Sequence, residues 1–144
     1  TGPAVDVNAV ADTFQLAALQ RECREVFCDP ALMQYAVKLV SATRNPEKYG
    51  IKDLARYITY GASPRASIHL IEGARALAFL RGRSYALPED VTDLAHDVMR
   101  HRLVMSYEAL AEGQNADALI DRVLQQIPAP PKPLETHVRV AANG

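Results

Sequence analysis

The chain has 144 residues, 49% of them hydrophobic and 23% charged, which suits one globular domain with its own core. A formal net charge of −1 gives no bulk attraction for a polyanion, no apolar run approaches the ~20 residues of a membrane span, and no signal peptide is visible. The two cysteines, Cys23 and Cys28, have no second Cys or His pair beside them to complete a metal site, and they read as reduced, structural thiols in a cytoplasmic setting.

Residues 1–12 are small and lack a helical period, so they read as an entering linker, and a start at Thr1 rather than Met reads as a piece of a longer protein. Asp12 and Gln15 form a capping-box pair. Leu16, Leu19, Cys23 and Val26 then recur at three- and four-residue spacing, the buried face of a first helix over about 13–27. Asp29-Pro30 opens a second helix, about 30–43, with Leu32, Ala36, Leu39 and Val40 inward. RNPEKYG breaks it, and a short helical turn over 52–59 would place Leu54 and Ile58 inside.

Ser63-Pro64 starts the third helix, about 64–81. Ala66, Leu70, Ala74 and Leu77 form its stripe, Ile71 and Ala78 widen it, and small residues at 66, 73, 74, 76 and 78 allow close helix approach. Gly82 is placed as its C-cap, with Arg81 and Arg83 suiting the dipole there. Pro88 opens a fourth helix, about 88–100, with Glu89 and Asp90 matching its N-terminal dipole. RHRLVMSYEALAEG, 100–113, fits either an extended piece or a helix continuation, and its Arg100, His101 and Arg102 read as a solvated face. A last helix, about 115–127, buries Leu119, Val123 and Leu124, and the proline-rich 128–144 reads as a flexible tail. With few strand signals, the chain is expected to be all-α: a single bundle of five or six helices over 13–127.

No P-loop, HExxH or GxSxG motif occurs. His69, His96, His101 and His137 are scattered, so neither a metal site nor a catalytic residue is expected within the chain. The fourth helix carries Glu89, Asp90, Asp93 and Asp97 against Arg100, the wrong charge for a DNA-reading helix. One residue stands out. Arg65 lies in the first turn of the third helix, in GASPRA, where the backbone dipole is already positive. Free N–H groups with a guanidinium fork beside them make an anion site. An ion pair of Arg65 with Asp53 or Glu89 is the other reading of the same residues.

The string YGASPRASIHLIEGARALAFLRGRSYALPEDV, followed by RHRLVMSYEALAEG, resembles the C-terminal lid domain of MoxR-type AAA+ ATPases. Upstream, LQRECREVFCDPALMQYAVKLVSATRNP resembles the first two helices of that lid, so the resemblance covers about residues 14–127. It implies a parent that is a cytoplasmic, ring-forming ATPase with a chaperone-like role in the assembly or activation of protein complexes. The partners implied are its own AAA+ core, neighbouring subunits and proteins with von Willebrand factor A domains, with no nucleic acid. ATP and Mg would lie between an α/β core and the lid. By that resemblance Arg65 is the sensor-2 residue reaching the terminal phosphates, in cis or in trans, on a helix start shaped by Gly61, Ser63 and Pro64. The Walker motifs, sensor 1 and arginine finger are not in this sequence, so the chain alone is not expected to hydrolyse ATP. The competing reading is a stand-alone helical protein-interaction module. Both readings predict an exposed apolar surface, and a patch near Gly61–Arg65 would favour the lid.

Overall fold

The computed structural model describes residues 8–131; the remainder of the expected linker and tail, and His137, lie outside them. Local signals account for where the helices begin. The first, α1 (Thr13–Glu25), opens on a complete capping box: Gln15 N–H donates to Asp12 Oδ1 at 2.7 Å and Asp12 N–H to Gln15 Oε1 at 2.9 Å. The second, α2 (Pro30–Arg44), has Pro at its first turn and the Asp29 carboxylate accepting from Ala31 N–H at 2.8 Å. Then come α3 (Arg65–Leu80), α4 (Pro88–Met99), the one-turn α5 (Tyr107–Ala111) and α6 (Ala116–Gln126). Side chains of Ser106 and Asn115 cap α5 and α6. The all-α expectation holds: among the described residues there are six α-helices, three short 3₁₀ turns and one small sheet. None of these helices is long and apolar enough to cross a membrane.

Two expectations are corrected and one open alternative is resolved. The helical turn expected over 52–59 is a 3₁₀ turn at Lys52–Leu54 followed by a strand, β1 (Ile58–Tyr60); Leu54 is buried, Ile58 only partly. The ambiguous 100–113 contains both alternatives: a 3₁₀ turn, a short strand β2 (Val104–Met105), then α5. The two strands pair antiparallel, Ile58 with Met105 and Tyr60 with Val104, a pairing between distant segments that no hairpin signal could reveal. The apolar face expected of α1 is not buried: no residue of α1 reaches the core, and only Val26, its C-cap, does.

The core is built on α2, α3, α4 and α6. Leu32, Ala36, Leu39 and Val40 of α2, Ala66, Leu70, Ala74 and Ala78 of α3, Val91 and Ala95 of α4, and Leu119 and Val123 of α6 are all buried, while Leu77 and Leu124 are only partly so. Small residues let α3 meet α4 closely: a Cβ on Gly73 would stand 2.9 Å from Leu94 Cδ1. A second backbone link ties the two halves of the bundle. Phe27 N–H donates to Ser84 O at 2.8 Å and Ala86 N–H to Phe27 O at 2.9 Å, so the corner between α1 and α2 is paired with the link between α3 and α4. Both cysteines are free, and burial pushes the Cys28 thiol up against the opposing pull of Arg75, which fits the structural role expected of it.

Candidate functional site

The turn 61–64 is seated on the last turn of α2. Gly61 lies so close that a Cβ there would fall 2.3 Å from Thr43 O and 2.5 Å from its carbonyl carbon, a distance only a residue without a side chain tolerates. Gly61 is therefore needed for close approach, not for a left-handed φ. Next to it, buried Ala62 donates its N–H to Thr43 Oγ1 at 3.0 Å, and that hydroxyl donates in turn to Val40 O at 2.7 Å. One threonine thus satisfies a buried backbone donor and fixes the turn against α2. Nothing local in the sequence singles out Thr43, because its partner is far along the chain.

From this seat Pro64 already has helical dihedrals, φ −55° and ψ −25°. Ala66 N–H bonds to Ser63 O at 2.9 Å and Ser67 N–H to Pro64 O at 3.1 Å, so the chain winds into α3 through a tight turn. No side chain caps this start. The Ser67 hydroxyl does not serve; it donates to Pro64 O at 2.7 Å. At α4 too no side chain caps the first turn, although there the Asp90 carboxylate accepts from Leu87 N–H at 2.8 Å.

Ser63, Pro64 and Arg65 are exposed. The guanidinium of Arg65 has no salt bridge or hydrogen bond among the described residues, and Asp53, one of the two acids offered for it by the sequence, is instead paired with Arg122. Arg65, Ile68, His69 and Glu72 follow one another along an open face of α3. Tyr60 and Ile68, 68% and 57% exposed, flank the turn on either side along the chain.

The other arginines the sequence drew attention to are committed. Arg81 and Arg83 do not serve the C-terminus of α3. Both reach Asp90, which is fully buried: Arg81 Nη1 at 2.8 Å, Arg83 Nη1 and Nη2 at 2.8 and 2.6 Å. Burial pushes the Asp90 carboxyl up, but the bonds from Arg83 and Leu87 N–H and the charge of Arg83 outweigh it and hold the group below the ordinary carboxylate value. The acid read as a dipole partner is thus the centre of an ionic clasp across the α3–α4 link. Arg100 pairs with Asp117 at 3.0 Å, and Arg102 donates to Val98 O at 2.7 Å. His96 meets Asp121 at 2.9 Å, and no group of three potential metal ligands occurs among the described residues.

The small helical bundle is that of an AAA lid domain. A family model for the AAA lid domain matches residues 52–123. The chain is 44% identical over 121 residues to Chaperone MoxR1 of Mycobacterium tuberculosis, covering 84% of this chain and 32% of that protein. To Protein MoxR of Paracoccus denitrificans it is 43% identical over 107 residues, covering 70% of this chain and 31% of the relative. A crystal structure from Cytophaga hutchinsonii, described as a "putative ATPase", matches with a TM-score of 0.75 at 40% identity, over 77% of this chain and 34% of that one. The chain belongs to the AAA lid domain family, in its MoxR branch. It spans about a third of the length of the curated relatives it matches.

Proposed function

We propose that this chain is the sensor-2 lid of a MoxR-type AAA+ ATPase, and that Arg65 reads the terminal phosphates of ATP held with Mg on an α/β core. The observation that carries the reading is the uncommitted Arg65 on an uncapped helix start, seated on α2 by Gly61 and Thr43. The residues fit a phosphate chemically: first-turn N–H groups and the positive end of the α3 dipole face outward, and the guanidinium adds a planar donor fork. The exposed Tyr60 and Ile68 beside the turn favour the lid over a stand-alone interaction module, because that is where a lid meets its core.

The magnitudes assign Arg65 a reporting role. A charge-assisted hydrogen bond contributes about 1.5–3 kcal/mol, against roughly 8 kcal/mol for micromolar binding. Arg65 and one helix end therefore do not hold ATP; they respond to whether the terminal phosphate is present. When that phosphate leaves, the guanidinium loses its acceptor and the lid is released to turn as one body. In the parent, a ring-forming, chaperone-like ATPase of the cytoplasm, this turning would be passed to protein complexes under assembly, including those with von Willebrand factor A domains.

Arg65→Ala in the full-length protein is expected to lower ATP turnover at least about tenfold, the equivalent of ~1.4 kcal/mol. Arg65→Lys should recover part of it, since a lysine keeps the charge but not the fork. Turnover within about twofold of wild type for Arg65→Ala would remove the sensor-2 assignment, as that contact would then be worth less than ~0.5 kcal/mol.

A further inference from the structure

Among the described residues, Arg75 is the arginine that is sheltered from water yet bonded to nothing. It is half-buried, its Nε is fully buried, and no hydrogen bond or ion pair reaches its guanidinium. The other half-buried arginines have partners: Arg83 on Asp90, Arg122 on Asp53 and Arg102 on Val98 O. The acids around Arg75 do not serve it. Glu72, one turn earlier on α3, forms no ion pair with it, and neither does Asp29, which is 3% exposed beside Cys28. Asp29 Oδ1 accepts from Ala31 N–H, and its Oδ2 is a second buried atom without a partner. A buried water can satisfy a donor, but it leaves the charge uncompensated. A guanidinium withdrawn from water in this way calls for an anion.

Arg75 lines a groove of about 550 Å³ together with Gln20, Cys23 and Arg24 of α1 and Glu72 of α3. Gln20, Cys23 and Arg24 recur at i, i+3 and i+4, so they share one side of α1. Two arginines against one glutamate leave the groove with one positive charge in excess. The charge of Arg75 also reaches inward, where it opposes the effect of burial on the Cys28 thiol. We propose that this groove binds the carboxylate of a small organic acid, with Arg75 as its anchor, Arg24 as the second cation and Gln20 as a neutral donor. A guanidinium presents a planar fork that a carboxylate matches with two parallel hydrogen bonds. The single excess charge suits a monoanion better than a phosphate dianion. The volume also falls within the roughly 300–1,000 Å³ of small-molecule sites. This site is independent of the phosphate role proposed for Arg65, which lies about 15 Å away along the axis of α3.

Cys23, half-buried in the groove, provides the probe. Iodoacetate and iodoacetamide form the same S–C bond to its thiolate with loss of iodide, but the first carries a carboxylate and the second a neutral amide. Both rates are measured at Cys23 of the full-length protein, at constant ionic strength, by mass spectrometry of the peptide that contains it. A synthetic peptide of residues 20–26 is the reference, with the same neighbouring charges but without α3. The ratio of the iodoacetate rate to the iodoacetamide rate should be at least about fivefold higher in the protein than in the peptide, the effect of one unit charge about 4 Å away in water. Acetate should slow iodoacetate and leave iodoacetamide unaffected. Arg75→Gln should return the ratio to the peptide value, while Arg65→Ala should not change it. Slow alkylation of buried Cys28 shows that a variant is folded, and the acetate competition in the wild-type protein needs no substitution. A ratio equal to that of the peptide overturns the proposal, as does a Cys23 that reacts with neither reagent. Stronger competition by phosphate than by acetate would overturn the carboxylate assignment. Stronger competition by a glutamate-containing peptide than by acetate would give the groove to an acidic protein side chain and overturn the small-acid assignment.

Discussion

Replacing Gly61 by alanine tests how the arginine is aimed. The added methyl would lie 2.3 Å from Thr43 O, whereas ordinary contact begins at 3.4 Å, so the turn must withdraw from α2 by about 1 Å or distort. Withdrawal lengthens the 3.0 Å bond from Ala62 N–H to Thr43 Oγ1 beyond useful range. Overpacking costs about 1–3 kcal/mol, and stranding a buried N–H costs about 1–3 kcal/mol more. Reduced freedom of the unfolded chain returns about 0.4–1 kcal/mol. The net loss of about 1–5 kcal/mol corresponds to a Tm lower by about 3–20 °C for a domain of this size. Thermal unfolding followed by circular dichroism measures it, with Gly82→Ala as the reference: Gly82 has φ +71° but nothing within 4 Å, so only the backbone term, about 1 kcal/mol, applies. If Gly61→Ala proved no less stable than Gly82→Ala, the seat on Thr43 would be refuted. In the full-length protein the same substitution should also depress ATP turnover, because a displacement of about 1 Å at a positioning residue can cost up to 10²-fold.

Asp90→Asn removes the charge at the centre of the clasp and should cost about 3 kcal/mol at neutral pH, the low end for breaking a buried pair whose cations remain partly solvated. Because the folded Asp90 carboxyl is held below its ordinary value, its stabilisation is complete above about pH 4–5 and is lost as pH falls through the ordinary ~3.9 toward the depressed value. The Tm difference between wild type and Asp90→Asn should therefore stay flat from about pH 6 to 8 and shrink below about pH 4. Thr43→Val keeps the shape of the side chain but strands Ala62 N–H, and chemical denaturation should show a loss of about 1–3 kcal/mol; no loss would mean the hydroxyl is not the partner. Glu108→Ala cuts the exposed pair with Arg56, 49% and 48% exposed, and should leave Tm unchanged within about 1 °C.

What the sequence conveyed was what neighbours in sequence determine. The capping box at Asp12 and Gln15, the Asp29-Pro30 start and the stripes of α2 and α3 depend on residues within a turn or two of each other. The charge of Arg65 at a helix start marked it out, and the family resemblance then gave it a role. What escaped depends on partners far along the chain. Thr43 lacks any local mark for its bond to Ala62, and β1 and β2 are too short and too distant to show a period. Arg81 and Arg83 were read against the nearest helix end, whereas a buried carboxylate on the next helix outcompetes a dipole that a charge feels only weakly at the surface. The stripe of α1 was read correctly as a pattern. Its burial was not, because periodicity reveals that a face wants covering and not whether the covering lies within the same chain.

The seat of Gly61 on Thr43 makes the arginine motif non-portable. Its direction is set by α2, a helix that ends well before the motif starts, so residues 61–65 grafted onto a different pair of helices would carry the guanidinium without its aim. A designer moving this arginine turn to a new scaffold would have to take the last turn of α2 along with it.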